Sequence, residues 1–328
     1  MEKRKKLLHA WLKENLSATL EQMVALPGDA SFRRYWRLHT AEGSYMLMDA
    51  PPGHETCMSS EPFVAIAHYF QQLGAHTPTI FASDIKCGFI LLEDFGDQLF
   101  SQAVNAQNAD LLYSQAMETL LKLQCERENK MRLPLYSAEL LQKEMALFEQ
   151  WFIKVHHQTS LTAAEKKSLS HQFKLLTETA LLQPQVCVHR DYHCRNLMIL
   201  ANGQLGVLDF QDAVWGPVTY DLVSLLRDNY LEWPEEKVEK WLVYFYQQLL
   251  GHELISPKIS LDEFRRWFDW MGLQRHLKCI GLFPRLYHRD QKDNYLQYMP
   301  LVMKNAQRVC GRYGEFTELG KLLTRWNF

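Results

Sequence analysis

Residues 188–200 constrain this chain more than any other stretch. From Ala109 onward the sequence reads as one helix after another, and the pattern breaks near residues 186–210. Two short apolar strands are read there, 185–189 and 205–209, with a hairpin turn at Asn202-Gly203. Between them lies the polar run His189-Arg-Asp-Tyr-His-Cys-Arg-Asn196, followed by the apolar Leu197-Met-Ile-Leu200. A polar loop bracketed by apolar strands and embedded in helical sequence excludes a coiled coil and a helical repeat. It requires an α+β unit in which strands hold the loop in place.

The residue types in that loop fit one kind of chemistry. The run has the spacing H-x-D-x-x-x-x-N, and Gly206-Val-Leu-Asp-Phe210 follows, an apolar strand ending in Asp209. Phosphoryl transfer needs one carboxylate to position the acceptor hydroxyl and receive its proton. It also needs an amide oxygen and a second carboxylate to hold Mg²⁺ against the nucleotide phosphates. Asp191, Asn196 and Asp209 match those three roles, and a strand–loop–strand hairpin of 185–189 with 205–209 would gather them around one point. H-x-D-x-x-x-x-N alone is weak, but the added L-D-F at this distance, with apolar strands on both sides, makes the pattern specific. The plain alternative is that His189 and Asp191 are turn residues and Asp209 a strand-end cap. For His189 itself a hydrogen-bonded scaffold role is the stronger reading.

The first third reads as mixed α and β. An amphipathic helix carries Leu7, Leu8, Trp11, Leu12 and Leu16 at helical spacing. Its basic start is not expected to act as a signal peptide, because His9, Lys13 and Glu14 break the apolar run. Strands 32–39 and 44–49 form a hairpin across Glu42-Gly43, and helix 61–73 buries Phe63, Ile66, Ala67 and Phe70. Strand 88–93 runs into the turn-rich joint Asp94-Phe-Gly-Asp97. The expected division is a sheet-containing N-terminal lobe over 1–93, a hinge at 94–97 and a helical lobe over 98–328. With 36 basic and 38 acidic residues, no overall field recruits nucleic acid or anionic lipid. The seven cysteines are scattered with no C-x-x-C pair, which fits a reducing cytoplasm, and no segment approaches the ~18 apolar residues of a membrane span. No obligate protein partner is expected.

The run HRDYHCRN with LDFQD resembles the aminoglycoside phosphotransferase and choline-kinase-like superfamily, small-molecule relatives of the protein kinases. The likeness covers nearly the whole chain. Gly28-Asp-Ala-Ser-Phe-Arg-Arg-Tyr35, Met48-Asp-Ala-Pro-Pro52, Leu91-Leu-Glu-Asp-Phe-Gly96, Tyr220-Asp-Leu-Val-Ser-Leu-Leu-Arg-Asp228 and Gln274-Arg-His-Leu-Lys-Cys-Ile-Gly281 narrow it to the bacterial anomeric sugar kinases of cell-wall recycling. The resemblance implies a protein-kinase-like bilobed α+β fold, with ATP and Mg²⁺ as cofactors. The expected acceptor is an N-acetylated amino sugar, N-acetylmuramate or N-acetylglucosamine, phosphorylated at C1. It implies that Asp191 is the base and that Asn196 and Asp209 are Mg²⁺ ligands. Gly28, Asp29, Ala30 and Ser31 would cover the nucleotide phosphates, and Glu93, Asp94 and Phe95 would form the hinge that meets adenine. Glu61 matches the glutamate that pairs with a lysine in kinases, and a helix-start carboxylate explains it equally.

Two departures bear on the site. Kinase relatives carry a lysine or arginine near the end of strand 45–49, and here the strand reads Tyr-Met-Leu-Met-Asp. Either Met48 or Asp49 occupies that slot, and Arg33, Arg34 or Arg37 supplies the charge. Arg34 is the expected nucleotide contact, with a solvent-facing strand residue as the alternative. The helical lobe is also rich in cations where a polycation acceptor would need acids. Arg275, Lys278, Leu282, Arg285 and Arg289 step along one helix face, opposite Leu273, Leu277, Ile280 and Tyr287. Pro284 is expected to kink or end that helix. The stripe is either a solvated basic face or a source of acceptor contacts, with Arg275 and Arg285 as candidates. Asp221 is the third substrate candidate, or a helix-start residue that buttresses the loop. The competing functions are an aminoglycoside or other small-alcohol phosphotransferase, and a catalytically dead nucleotide-binding module.

Overall fold

The computed structural model of the protein describes residues 2–26, 33–51 and 60–326. The chain begins α1 (Glu2–Asn15), β1 (Leu20–Ala25), β2 (Arg34–Thr40), β3 (Gly43–Asp49), α2 (Glu61–Gln72), β4 (Ile80–Asp84) and β5 (Phe89–Glu93). It continues with α3 (Phe100–Ala103), α4 (Ala109–Gln124), α5 (Ala138–Leu147), a π-helical segment Phe148–His156, α6 (Ala163–Leu182) and β6 (Gln185–Val188). The last part holds β7 (Leu197–Ile199), β8 (Leu205–Val207), β9 (Val214–Pro217), α7 (Tyr220–Leu226), α8 (Glu235–Gly251), α9 (Leu261–Asp290), α10 (Met299–Arg312) and α11 (Thr317–Leu323). No helix among the described residues is long and apolar enough to cross a membrane.

Two compact units emerge, Met1–Gln98 with Met198–Asp212, and Leu99–Leu197 with Ala213–Phe328. The first is built on an antiparallel sheet in the order β1-β2-β3-β5-β4. Directly opposed residues share a face, so the register Trp36↔Leu47 and Leu38↔Tyr45 sets one side of the sheet. On that side Leu38, Leu47, Phe89 and Leu91 form a buried cluster with Leu8 and Leu12 of α1. The amphipathic N-terminal helix therefore packs as a lid on one sheet face. Gly88 closes the β4–β5 turn at φ +73°, where a Cβ would lie 1.9 Å from the Ala50 carbonyl oxygen. Only glycine fits there.

Residues 198–212 belong with this unit, although the sequence assigned them to the helical lobe. The Val207 N–H donates to the His76 carbonyl at 2.8 Å, Phe95 lies against Gly206, and the Phe210 ring sits 4.9 Å from Phe63 of α2. Local sequence could not reveal these contacts across more than a hundred residues.

The second unit is organised around α9, whose buried Leu273, Leu277, Ile280 and Phe283 join one core with residues of the π-helical segment, α6, α10 and α11. Gly281 permits the closest approach, since a Cβ there would stand 2.2 Å from the Leu147 carbonyl carbon. The expected break at Pro284 does not occur, and α9 continues to Asp290. An interior proline costs about 3 kcal/mol. Burial of Pro284 with Phe283 and Leu286 offsets that loss. The expected pairing of 185–189 with 205–209 is also replaced. β6 pairs antiparallel with β9, and β7 pairs with β8 around Gly203 at φ +78°.

Candidate active site

Three buried carboxylates shape the loop that follows β6. Asp221, in the first turn of α7, accepts the backbone N–H groups of His189 at 2.6 Å and Arg190 at 3.0 Å. Asp228, just past the end of the same helix, accepts Cys194 N–H and Tyr230 N–H, each at 2.9 Å. The first turn of α7 and the residues just past its end thus hold the loop near both of its ends. The third carboxylate is Glu144 of α5. It pairs with Arg190 at 2.6 Å and Lys278 at 3.1 Å, and it accepts hydrogen bonds from Tyr136 and from Gln274.

The loop carries a marked backbone turn. Arg190 adopts φ +76°, a left-handed conformation rare for a residue with a side chain. Its Glu144 pair and its place over the Tyr136 ring hold it there. Asp191 follows, half-buried. Burial alone would raise its carboxyl, but Lys278, His193, Arg275 and Arg190 outweigh that and bring it down to about 2. Asp191 is thus a carboxylate at every physiological pH. Burial pushes Asp221 up to about 7 although the two loop N–H groups pull it down.

Asn196 donates its side-chain N–H to the Asp191 carbonyl at 3.0 Å, which fixes the amide and turns its oxygen the other way. In the first unit, Asp209 also takes a positive φ, +59°, and accepts Gln211 Nε2 at 2.8 Å. The expected strand 205–209 ends at Val207, so Asp209 projects from a turn instead of a strand end. Among the described residues no group of three or more His, Cys, Asp or Glu side chains forms a ready metal cage. Mg²⁺ is a hard ion that keeps several waters and binds through few carboxylates, so an amide oxygen and a carboxylate are each donors of the kind it takes.

The other expected contacts divide. Gly28, Asp29, Ala30 and Ser31 lie outside the described residues. At the hinge, Glu93 accepts the Thr79 N–H and hydroxyl at 3.0 and 2.8 Å, and Asp94 pairs with Arg37 at 2.7 Å. Phe95 packs edge-on to His76. All three side chains are thus engaged within the first unit. Arg34 lies on the α1 side of the sheet. It opposes Asp49, whose buried carboxylate it shares with Arg4 of α1.

Asp221 is fully buried against the loop backbone, which makes it a support for the loop and not a wall of an open pocket. The basic stripe on α9 splits. Arg275 is buried and Lys278 half-buried, and both act on Asp191, whereas Arg285 is half-buried beside Arg289 and Asp290, and Arg289 is exposed. Tyr287, expected on the apolar side, is exposed too. Arg275 is 2 % exposed, and its Nη1 has no hydrogen-bond partner. Glu144 escaped the sequence reading. Its signal was a carboxylate three residues after Leu141 and one before Met145, inside the buried stripe of α5.

Residues 22–290 match the model of the phosphotransferase enzyme family, APH. The chain belongs to that family. This phosphotransferase is 41% identical over 326 residues to an N-acetylmuramate/N-acetylglucosamine kinase of Pseudomonas putida, covering 96% of this chain and 94% of the relative. It is 39% identical over 301 residues to a kinase of the same name from Neisseria meningitidis, covering 90% and 87%. Among solved structures it resembles choline kinase LicA from Streptococcus pneumoniae, with a TM-score of 0.65, 14% identity and coverage of 93% and 99%. The ADP-bound aminoglycoside phosphotransferase APH(2'')-Ib gives a TM-score of 0.61 at 14% identity, covering 92% and 98%. The fold of the phosphotransferase is therefore the kinase-like α+β fold expected from its sequence.

Proposed function

We propose that this enzyme transfers the γ-phosphoryl group of ATP to the anomeric hydroxyl of an N-acetylated amino sugar, N-acetylmuramate or N-acetylglucosamine. The observation that carries the reaction class is Asp191: an ionised carboxylate on a loop whose backbone is tied down by Asp221 and Asp228. The names of relatives at 39–41% identity support the acceptor. The cations that flank Asp191 favour a neutral or anionic acceptor over a polycationic antibiotic. A cytoplasmic role in recovering cell-wall sugars follows from that acceptor.

In this reading Asp191 accepts a hydrogen bond from the acceptor hydroxyl and aims its oxygen at the γ-phosphorus. As the O–P bond forms and ADP leaves, the hydroxyl proton passes to the carboxylate. A carboxyl brought down to about 2 is a weak base, so orientation is its larger share and the proton moves late. Asn196 and Asp209 would hold Mg²⁺, which supplies neutralisation of the phosphate charge when bound. Gly28–Ser31 would approach the phosphates through backbone N–H groups, and the backbone of Glu93–Phe95 would meet adenine.

The test is phosphorus NMR of the product formed from ATP, Mg²⁺ and each sugar in turn, beside an aminoglycoside. A C1 phosphate on either sugar is expected. A phosphate at C6, or only on the antibiotic, overturns the acceptor. Asp191→Asn should lower kcat by roughly 10²–10⁴. A variant keeping more than half the activity would remove Asp191 from its role.

A further inference from the structure

Glu144 is a carboxylate in the buried stripe of α5, and among the described residues four groups converge on it. One oxygen takes the Arg190 guanidinium at 2.6 Å and the Lys278 ammonium at 3.1 Å. The other accepts the Tyr136 hydroxyl, and Gln274 Nε2 at 3.3 Å. Lys278 also donates to the Tyr220 hydroxyl at 3.2 Å, so the cluster ties α5, α7 and α9 to the loop after β6. Every member lies in the second unit. Such a cluster is a poor way to gain stability. Taking charges out of water costs about as much as their attraction returns, and well-packed apolar side chains of similar volume often do as well. Its place in the chain points to another use.

Arg190 immediately precedes Asp191 and is gripped at two points. Its backbone N–H donates to Asp221 at 3.0 Å. Its side chain is held by Glu144 and lies over the Tyr136 ring, with the guanidinium carbon 5.7 Å from the ring centre. Between these grips the backbone takes φ +76°. A residue with a side chain keeps a left-handed conformation where its surroundings over-determine it, and the dihedral angles of residue 190 set the direction in which Asp191 leaves the turn. The Asp191 N–H then donates to His189 Nδ1 at 3.2 Å, which closes that turn.

We propose that Glu144 is a positioning residue for phosphoryl transfer, acting through the Arg190 side chain on the direction of Asp191. This role rests on the reading of Asp191 given above. Asp221 fixes the backbone of the turn, and Glu144 fixes the side chain that keeps residue 190 left-handed. Lys278 is the second cation, which keeps the Glu144 carboxylate compensated and in place. A carboxylate that must aim a hydroxyl oxygen at phosphorus gains from being fixed in advance, because a small misplacement of reacting groups costs rate without removing a binding contact.

The experiment is steady-state kinetics of the full chain with ATP, Mg²⁺ and N-acetylglucosamine, in a double-mutant cycle of Glu144→Gln and Arg190→Met, with Arg190→Lys alongside. Each single variant of the cycle should lower kcat roughly 10²-fold and leave KM for ATP and for the sugar within about threefold. The double variant should fall no more than about threefold below the slower single variant, because both changes cut one linkage. Arg190→Lys keeps a cation for Glu144 and should recover about tenfold of the kcat lost in Arg190→Met. Wild-type kcat in either single variant, additive losses in the double variant, or a rise in both KM values as large as the fall in kcat would overturn the proposal and leave Glu144 a structural charge. Melting curves set an assay temperature at which each variant is folded. Should Glu144→Gln not fold at all, the two Arg190 variants decide, and a lysine no faster than methionine overturns the proposal. Activity retained by Asp191→Asn would instead remove the reading beneath it, so the two failures are distinguishable.

Discussion

Each unit of this phosphotransferase contains a buried carboxylate shared by two cations, and the two differ in what surrounds them. In the first unit Asp49 is 2 % exposed, but Arg34 keeps 46 % of its side chain in solvent. In the second, Glu144 binds Arg190 and Lys278, whose side chains are 20 % and 12 % exposed. Asp49 fastens a helix to a sheet face and lies on the side away from Met48. Glu144 holds two cations that both act on Asp191. The same arrangement of charges therefore serves a mechanical purpose in one unit and tunes the candidate base in the other. Desolvation decides how much each is worth.

The largest effect should come from Glu144→Gln, which keeps the shape and removes the charge. Breaking a buried pair from one side typically costs about 3–5 kcal/mol, because the remaining cations stay buried and uncompensated. Unfolding by denaturant should show that loss. Burial raises the Glu144 carboxyl, but Lys278 and Arg190 outweigh it and hold it below the ordinary glutamate range. Its contribution is present above the unfolded value of about 4.3 and is lost as the pH falls through the lower folded value. The variant should therefore lose less stability than the wild type on acidification below that value. An unchanged acid slope would mean Glu144 is not the titrating group, and the contrast with Asp49 would fail.

Next in size is Arg275→Ala. Arg275 lies one turn before Lys278 on α9 but makes no carboxylate ion pair among the described residues, and its Nη1 is buried without a hydrogen bond among them. A guanidinium in that state suits an anion brought by the substrate, and N-acetylmuramate carries a lactyl carboxylate where N-acetylglucosamine has none. KM for the muramate sugar should rise roughly 10- to 150-fold while the glucosamine sugar stays nearly constant. Equal losses for both sugars would place Arg275 beside Lys278 as a charge that serves Asp191 alone.

Asp49→Asn should be milder, costing about 1 kcal/mol, since Arg4 and Arg34 can turn to water. Denaturation midpoints of the two variants, measured side by side, give the comparison directly. A cost for Asp49→Asn equal to that of Glu144→Gln would show that solvent access at Arg34 does not relieve the broken pair.

These contrasts explain what the sequence could and could not convey. The family was legible because the motif that contains Asp191, Asn196 and Asp209 is local, and its spacing survives without knowledge of the fold. The β2–β3 hairpin was legible for the same reason, with turn residues between two apolar runs. β9 was not, because four residues that pair with β6 across a loop and a hairpin leave no local trace. β1 was hidden by Glu21 and Gln22, which make an exposed edge strand read as a loop. The side of the sheet that Arg34 takes depended on strand phase, where a slip of one residue exchanges the two faces of the sheet. Glu144 needed its partners: a carboxylate in an apolar stripe reads as an error until Arg190 and Lys278 are seen beside it.

The smallest effect should belong to Arg285→Ala, and it tests where the acceptor end of α9 stops. Arg285 lies ten residues beyond Arg275, or about 15 Å along the helix axis. Burial lowers its guanidinium, and Arg289, four residues on, lowers it further as a like charge on the same helix face. Such a pair destabilises a helix by a few tenths of a kcal/mol, so removing one member should leave stability within about 0.5 kcal/mol of the wild type, on the favourable side. Lys278, His193, Arg275 and Arg190 are the charges that lower Asp191, and Arg285 is not among them. Neither sugar should therefore lose more than about twofold in kcat/KM, a change below what one hydrogen bond would give. Steady-state kinetics on both sugars, paired with a denaturation curve, would check this. A selective loss for the muramate sugar in Arg285→Ala, with Arg275→Ala unaffected, would move the anion contact to the far end of α9. The buried guanidinium beside Asp191 would then be a structural charge, like Arg4 on Asp49.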